Sequence, residues 1–295
     1  MLSIFRYPGG KSKVRLRILR LAPEAYAEFR EPFVGGGGVF FGTPPVARWI
    51  NDVHPGLIAV YHALRDRPAE FAAKCRAIPC AKKCVPGTGK GRNHAYQAHE
   101  LQQAFCEAVV REDADEALRY FVLQRCSLMG RVVYGDAQRT CFTSPEGWDV
   151  VKGDRLERAS EVLQGVRITQ GDFEPLFSSP GEYTWVFADP PYIKDTLAAE
   201  RSKLYQFSFT MADHERLADM ARRCQHRVLL SYDDDPKGVA RSLYRGFDIV
   251  EESWVYGGAT STTKKVGREL LLANYDLRSP EILARLNQNP ADVAA

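Results

Sequence analysis

Trp185-Val186-Phe187-Ala188-Asp189-Pro190-Pro191-Tyr192 decides the reading of this chain. The apolar run predicts a short, fully buried strand, and the prolines after it end that strand. An acid, two prolines and an aromatic then form a stiff ledge at the edge of a sheet. Proline fixes φ and lacks an N–H, so the carbonyls before and within the turn are left to accept hydrogen bonds. The Asp189 carboxylate and these carbonyls make an acceptor-only cluster beside the flat face of Tyr192. That arrangement suits an exocyclic amino group on a planar ring, such as N6 of adenine.

Outward from this ledge, short apolar runs alternate with helical spacings. Residues 28–34 predict a first strand running into Gly35 to Gly38, and residues 46–51 a second strand ending at Asp52. Residues 55–64 carry Leu57, Val60, Tyr61 and Leu64 on one helical face, and residues 213–224 carry Leu217, Met220 and Ala221 on another. Further strands are expected at 166–169, 227–231, 247–256 and 268–275. Strands alternating with helices indicate an α/β fold with a mostly parallel sheet. Residues 63–159 break the rhythm, with a Cys-, Lys- and Gly-rich loop, a helical segment over about 94–124 and a hairpin or loop at 128–135. The expected organisation is one discontinuous domain, 1–62 with 160–278, an insertion at 63–159, and a tail at 279–295 that starts as a surface helix.

With 295 residues, 45% of them hydrophobic, the chain can bury a sizeable core. No apolar stretch reaches membrane-spanning length and the basic N-terminus has no apolar signal core, so a cytoplasmic protein is expected. Seven cysteines without a disulfide-framework spacing agree with a reducing compartment. The net charge is only +3, yet residues 1–23 hold Arg6, Lys11, Lys13, Arg15, Arg17 and Arg20 with no acid. Residues 71–99 likewise hold Lys74, Arg76, Lys82, Lys83, Lys90 and Arg92 with no acid. This asymmetry predicts either a face for a polyanion or solvated basic loops.

Glu31-Pro32-Phe33-Val34-Gly35-Gly36-Gly37-Gly38 places glycines after a strand, where backbone can approach a ligand. The Gly-x-Gly-x-x-Gly spacing is not met, because Phe40 stands at its last position. Asp52, at the tip of the second strand, is placed either to accept bonds from ribose hydroxyls or to cap the helix that follows. Arg6-Tyr7-Pro8-Gly9-Gly10-Lys11-Ser12 contains Gly-Lys-Ser, but Phe5 stands where a phosphate loop needs its first glycine. Tyr7 and Lys11 are instead candidates to close over a cofactor, the ammonium pairing a carboxylate. Cys75, Cys80, Cys84, His94 and His99 suggest zinc, but the second cysteine and first histidine are too close together for a finger, so no metal is expected.

Taken in order, these segments resemble the Dam-like, D12 class of DNA N6-adenine methyltransferases in the α arrangement. The matching motifs are the Arg-Tyr-Pro-Gly-Gly-Lys start, Glu-Pro-Phe-Val-Gly-Gly-Gly, Asn51-Asp52, Gly171-Asp172-Phe173 and Asp189-Pro-Pro-Tyr192. Phe209-Thr with Asp213-His214, and Gly257-Gly258 with Thr263-Lys264-Lys265, complete the set. The resemblance spans roughly 5–65 and 120–275 and implies a Rossmann-like sheet using S-adenosylmethionine, with an inserted, mainly helical target-recognition lobe. It implies that Tyr7 and Lys11 hold the cofactor's methionine end and that Phe33 with Gly35 to Gly37 floors its pocket. Asp52 would take the ribose, and Asp172 with Phe173 the cofactor's adenine. Asp189 and the Pro190 carbonyl would accept the protons of N6, with Pro191 stiffening the turn and Tyr192 stacking on a flipped adenine.

The same resemblance makes the insertion the reader of double-stranded DNA. Arg125, Arg131, Tyr134 and Arg139 are its candidates for base or phosphate contact, and Lys82, Lys83, Lys90 and Arg92 for backbone contact. Leu128 and Met129 stand where enterobacterial members carry Tyr-Asn, which points away from GATC as the target. A nucleoid-associated monomer, or a homodimer on a palindromic site, would follow. Methylation of another amine (RNA adenine or cytosine N4) and a catalytically silent DNA-binding module are the alternatives.

Overall fold

The computed structural model describes residues 4–5, 7, 10–78, 115–126, 145–193, 209–256 and 265–287. Backbone contacts divide the chain into two compact units, one of residues 1–10 with 54–164, the other of 11–53 with 165–295.

The second unit is built on seven strands: β1 (Glu28–Glu31), β2 (Ala47–Asp52), β3 (Arg167–Gln170), β4 (Thr184–Ala188), β5 (Arg227–Asp233), β6 (Asp248–Tyr256) and β7 (Lys265–Ala273). They lie in the order β3-β2-β1-β4-β5-β7-β6. The five strands from β3 to β5 run parallel, while β7 pairs antiparallel with both β5 and β6. The mixed α/β fold anticipated from the alternation is present. β4 is buried along its whole length, as a central parallel strand covered on both faces must be. β1 stops at Glu31, short of the expected residue 34, because Pro32 has no N–H to continue the ladder. β5 runs two residues further than expected because Tyr232 and Asp233 pair with Leu270 and Glu269 of β7.

From β1 the chain progresses outward through β2 to β3. It then returns to the other side of β1 as β4 and continues to β5. The strand order therefore reverses between β1 and β4, and their carboxyl ends border the crevice where open α/β sheets bind ligands.

Helix α1 (Arg15–Arg20) opens the second unit; α2 (Pro55–Asp66), α3 (Pro68–Ala77), α4 (Glu116–Cys126) and α5 (Arg155–Leu163) belong to the first. The second unit resumes with α6 (Glu174–Ser178), α7 (Met211–Arg223), α8 (Val239–Leu243) and α9 (Pro280–Asn287). Thr210 caps α7 and Asp213 bonds back to it, a capping box that fixes where the helix starts. The buried face of α7, through Leu217, Ala218 and Ala221, packs with Val186, Val228 and Leu230 of the sheet.

The first unit is helical where it is described. Its core joins Phe5, Tyr61, Phe71, Phe121 and Trp148, with ring centroids 5.2–5.8 Å apart. α2 begins at the expected residue but clusters with these helices, so the unit starts at His54 rather than at residue 63. The end of the expected 94–124 helix is seen as α4; its earlier part, the 128–135 hairpin and the Cys/Lys/Gly-rich loop lie outside the described residues. Among the described residues no helix is long and apolar enough to cross a membrane.

Candidate active site

Asp189 follows β4 at the reversal point, with one-fifth of its side chain open to solvent. Lys11, in the 3-10 turn Lys11–Lys13, is buried against it. Its Nζ lies 2.9 Å from Asp189 Oδ1, without the alignment of a full hydrogen bond, and 3.7 Å from Glu269 Oε2. It donates to the Tyr192 hydroxyl at 2.6 Å. The ammonium was expected to pair with a carboxylate, and within the fold Asp189 and Glu269 lie beside it, the counter-charge that a buried ammonium requires.

Gly38 allows Lys11 to be where it is. A Cβ there would fall 2.9 Å from the backbone nitrogens of Lys11 and Ser12, so the glycine turn and the lysine turn can approach only without a side chain. Gly35 and Gly37 in the same turn have φ of 46° and 66°, a region open to glycine.

Asp52 sits at the tip of β2, and its Oδ2 accepts from the Gly35 N–H at 3.0 Å. It does not cap the next helix: His54 does, accepting from Leu57 N–H. Asn51 beside it donates to the carbonyls of Pro32 and Gly171 at 3.1 and 3.0 Å and accepts from Thr169 at 2.8 Å. One amide thus ties the turn after β1 to the turn after β3. Glu31 is buried at the end of β1 and accepts from Phe40 N–H. Burial, and then the nearby Asp189 charge, push its carboxyl well above the usual range.

Phe33, Phe173 and Phe209 form an aromatic triangle with centroids 5.3–5.9 Å apart. Asp172 pairs with Arg216 at 2.7 Å, which holds its carboxyl below the usual range, and the guanidinium lies 4.2 Å over the Phe173 ring.

Burial raises the Asp189 pKa to about 6; Lys11 opposes the rise and Glu269 adds to it. The carboxylate is therefore charged at neutral pH yet far more ready to take a proton than an exposed aspartate.

The structure gathers Lys11, Phe33, Gly35, Gly37, Asp52, Asp172, Phe173, Asp189, Pro190, Pro191 and Tyr192 in the second unit. Tyr7 belongs to the first unit. Arg125, expected to face DNA, is 7% exposed in α4, where Tyr120 to Cys126 are all buried. Lys82, Lys83, Lys90, Arg92, Arg131, Tyr134 and Arg139 lie outside the described residues. So do Cys80, Cys84, His94 and His99; Cys75 is a buried helical thiol, pushed up to about 12 by burial.

Several cations of the two basic stretches are paired in the fold. Arg17 meets Glu252, Lys74 meets Glu70 and Asp115, and Arg76 meets Glu157. These pairs weaken the polyanion reading for those residues.

Two residues that sequence reasoning passed over, Ser231 on β5 and Glu269 on β7, are buried in the same cluster. A polar residue inside an apolar strand run was the available signal.

The family model for D12 class N6 adenine-specific DNA methyltransferases matches residues 7–257. The chain belongs to this family. It is 26% identical over 284 residues to the type II methyltransferase M1.LlaDCHI of Lactococcus lactis subsp. cremoris, covering 92% of this chain and 94% of that protein. It is 24% identical to a DNA adenine methylase of Vibrio cholerae, covering 84% and 86%. To the DNA adenine methylase of Escherichia coli K12 it is 25% identical, covering 94% and 97%. The enzyme is thus an adenine-specific DNA methyltransferase, and its seven-stranded sheet is the Rossmann-like platform expected of one.

Proposed function

We propose that this methyltransferase moves a methyl group from S-adenosylmethionine to N6 of an adenine flipped out of double-stranded DNA. The observation that carries this reading is the Asp189 carboxylate at the sheet's reversal point, paired with the buried Lys11 and poised near neutrality.

The second unit's residues fit such a cofactor. A glycine turn with left-handed backbone, a carboxylate at the tip of β2 and an aromatic triangle surround the ends of the strands. Phe33 and Gly35 to Gly37 would floor the pocket, Asp52 would accept from ribose hydroxyls, and Asp172 with Phe173 would hold the adenine ring. When bound, S-adenosylmethionine supplies an electrophilic methyl on a sulfonium.

The chain's own groups then act on the amine. N6 is a poor nucleophile because its lone pair is delocalised into the ring. Acceptance of its two protons by Asp189 and the Pro190 carbonyl favours a pyramidal nitrogen whose lone pair points at the methyl. Positive charge grows on nitrogen beside a preformed carboxylate, where electrostatic stabilisation is strongest. After transfer the acidic N6 proton passes to Asp189. Tyr192, fixed by its hydroxyl, offers the flat face for the flipped base, whose extrusion costs on the order of a few kcal/mol. The 63–159 segment, with Arg131, Tyr134 and Arg139, would select the sequence.

Expression in a host without adenine methylation, followed by single-molecule sequencing of its genome, tests this reading. The expected result is N6-methyladenine in one recurrent motif other than GATC. An unmodified genome, with protein that still binds S-adenosylmethionine, would overturn it.

A further inference from the structure

Ser231 and Glu269 lie under the ledge on neighbouring strands, both essentially without solvent access. Ser231 Oγ donates to Glu269 Oε2 at 3.2 Å and lies 3.4 Å from the Tyr192 hydroxyl. Tyr192 in turn accepts from Lys11 at 2.6 Å, and Lys11 lies 3.7 Å from Glu269. The four groups close a ring whose direction follows from donor chemistry. The ammonium can only donate and the ionised carboxylate can only accept. The phenol accepts from Lys11, so its own proton points to Ser231, and the one serine proton is shared between the two carboxylates beside it, Glu269 at 3.2 Å and Asp189.

We infer that Ser231 and Glu269 are positioning residues for methyl transfer: they fix the Tyr192 hydroxyl and divide the Lys11 charge between Glu269 and Asp189. The inference rests on the reading that Asp189 and Tyr192 receive the target adenine. Neither residue touches the base; each acts through a group that does. Without Glu269 the ring has no terminal acceptor, and Lys11 is left to Asp189 alone. Without Ser231 the Tyr192 proton has lost its partner while both carboxylates remain.

The two losses move Asp189 in opposite directions. The groups that face it are Lys11 from the N-terminal turn, Glu269 from β7, Ser231 and Tyr232 from β5, and Glu31 from β1. The negative charge of Glu269 raises the Asp189 pKa, whereas the Ser231 hydroxyl lowers it. Removing the charge makes Asp189 a stronger acid, and removing the hydroxyl makes it a weaker one.

The test is the rate of tritium transfer from labelled S-adenosylmethionine to adenine-unmethylated bacterial genomic DNA, at saturating concentrations from pH 5 to 8. Wild type, Glu269→Gln and Ser231→Ala are compared. The acid limb is expected to move down by about one pH unit in E269Q and up by a smaller step in S231A. Both variants should lose roughly tenfold in kcat at pH 8, with the KM for S-adenosylmethionine within about twofold of wild type. General loosening of the fold lowers the rate without moving the two limbs apart. Should E269Q not fold, the upward step in S231A remains decisive by itself. A normal wild-type limb that stays in place in the folded variants overturns this inference alone. A wild-type rate that is flat across the range overturns the Asp189 reading, and this inference with it.

Discussion

Lys11 Nζ lies 2.9 Å from Asp189 Oδ1, so a turn near the start of the chain supplies the counter-ion for the carboxylate at the end of β4. Lys11 lowers the Asp189 pKa against the effect of burial. Lys11→Met should therefore move the acid limb of the rate profile upward and reduce methyl transfer at pH 7 by roughly 100-fold or more. Tritium-transfer assays across pH measure both. A near-wild-type rate at pH 7 would show that Asp189 needs no counter-ion.

Asp189 itself should govern the wild-type profile. Its pKa near 6 predicts a rate that falls about tenfold per pH unit once the pH is well below that value. Asp189→Asn keeps an acceptor oxygen but removes the charge proposed to stabilise the developing ammonium, so kcat should drop by roughly 100- to 1000-fold. Asp189→Ala should abolish transfer while leaving S-adenosylmethionine binding measurable by calorimetry. Substantial activity in the alanine variant would exclude the carboxylate from the reaction.

The parts of this fold that were legible in the sequence are those marked by local chemistry. Trp185 to Ala188 form an apolar run that ends at two prolines, and β4 lies within one residue of it. The α2 spacing announced a helix, but periodicity reveals only that a face is buried, not what buries it. Its membership of the first unit was therefore hidden. The same holds for Arg125, which reads as a surface cation until the buried surroundings of α4 are seen. The convergence of Ser231 and Glu269 on Lys11 was illegible for another reason. Nothing along the chain links them to Lys11, and only the β5–β7 pairing brings them together.

Asn51 holds the two turns that carry Phe33 and Asp172, through the carbonyls of Pro32 and Gly171 and the hydroxyl of Thr169. Asn51→Ala leaves those buried groups without their partner, which should cost about 2–3 kcal/mol in urea unfolding. Under the proposed placement of the cofactor these turns frame its pocket, so affinity for S-adenosylmethionine should weaken about tenfold or more. Asn51→Asp restores the acceptor for Thr169 but not the donors, so it should recover little of either. Full recovery in that variant would mean that the Thr169 bond, not the bridge between turns, carries the effect.

Glu31 gives the fold a pH dependence with a definite sign. Its carboxyl is pushed well above the ordinary value by burial and by the charge of Asp189. The folded state then binds more protons than the unfolded state between the ordinary carboxyl pKa and the raised one. Stability from this group is complete below the ordinary value and is lost as the pH rises through the raised one. Glu31→Gln keeps an oxygen for the Phe40 N–H and cannot ionise. Its unfolding free energy should therefore decline less than that of wild type between pH 5 and pH 8, with the difference growing in the variant's favour as pH rises. Urea titrations of both proteins at several pH values measure this. An identical pH dependence in the two would mean that Glu31 has the same proton affinity folded and unfolded.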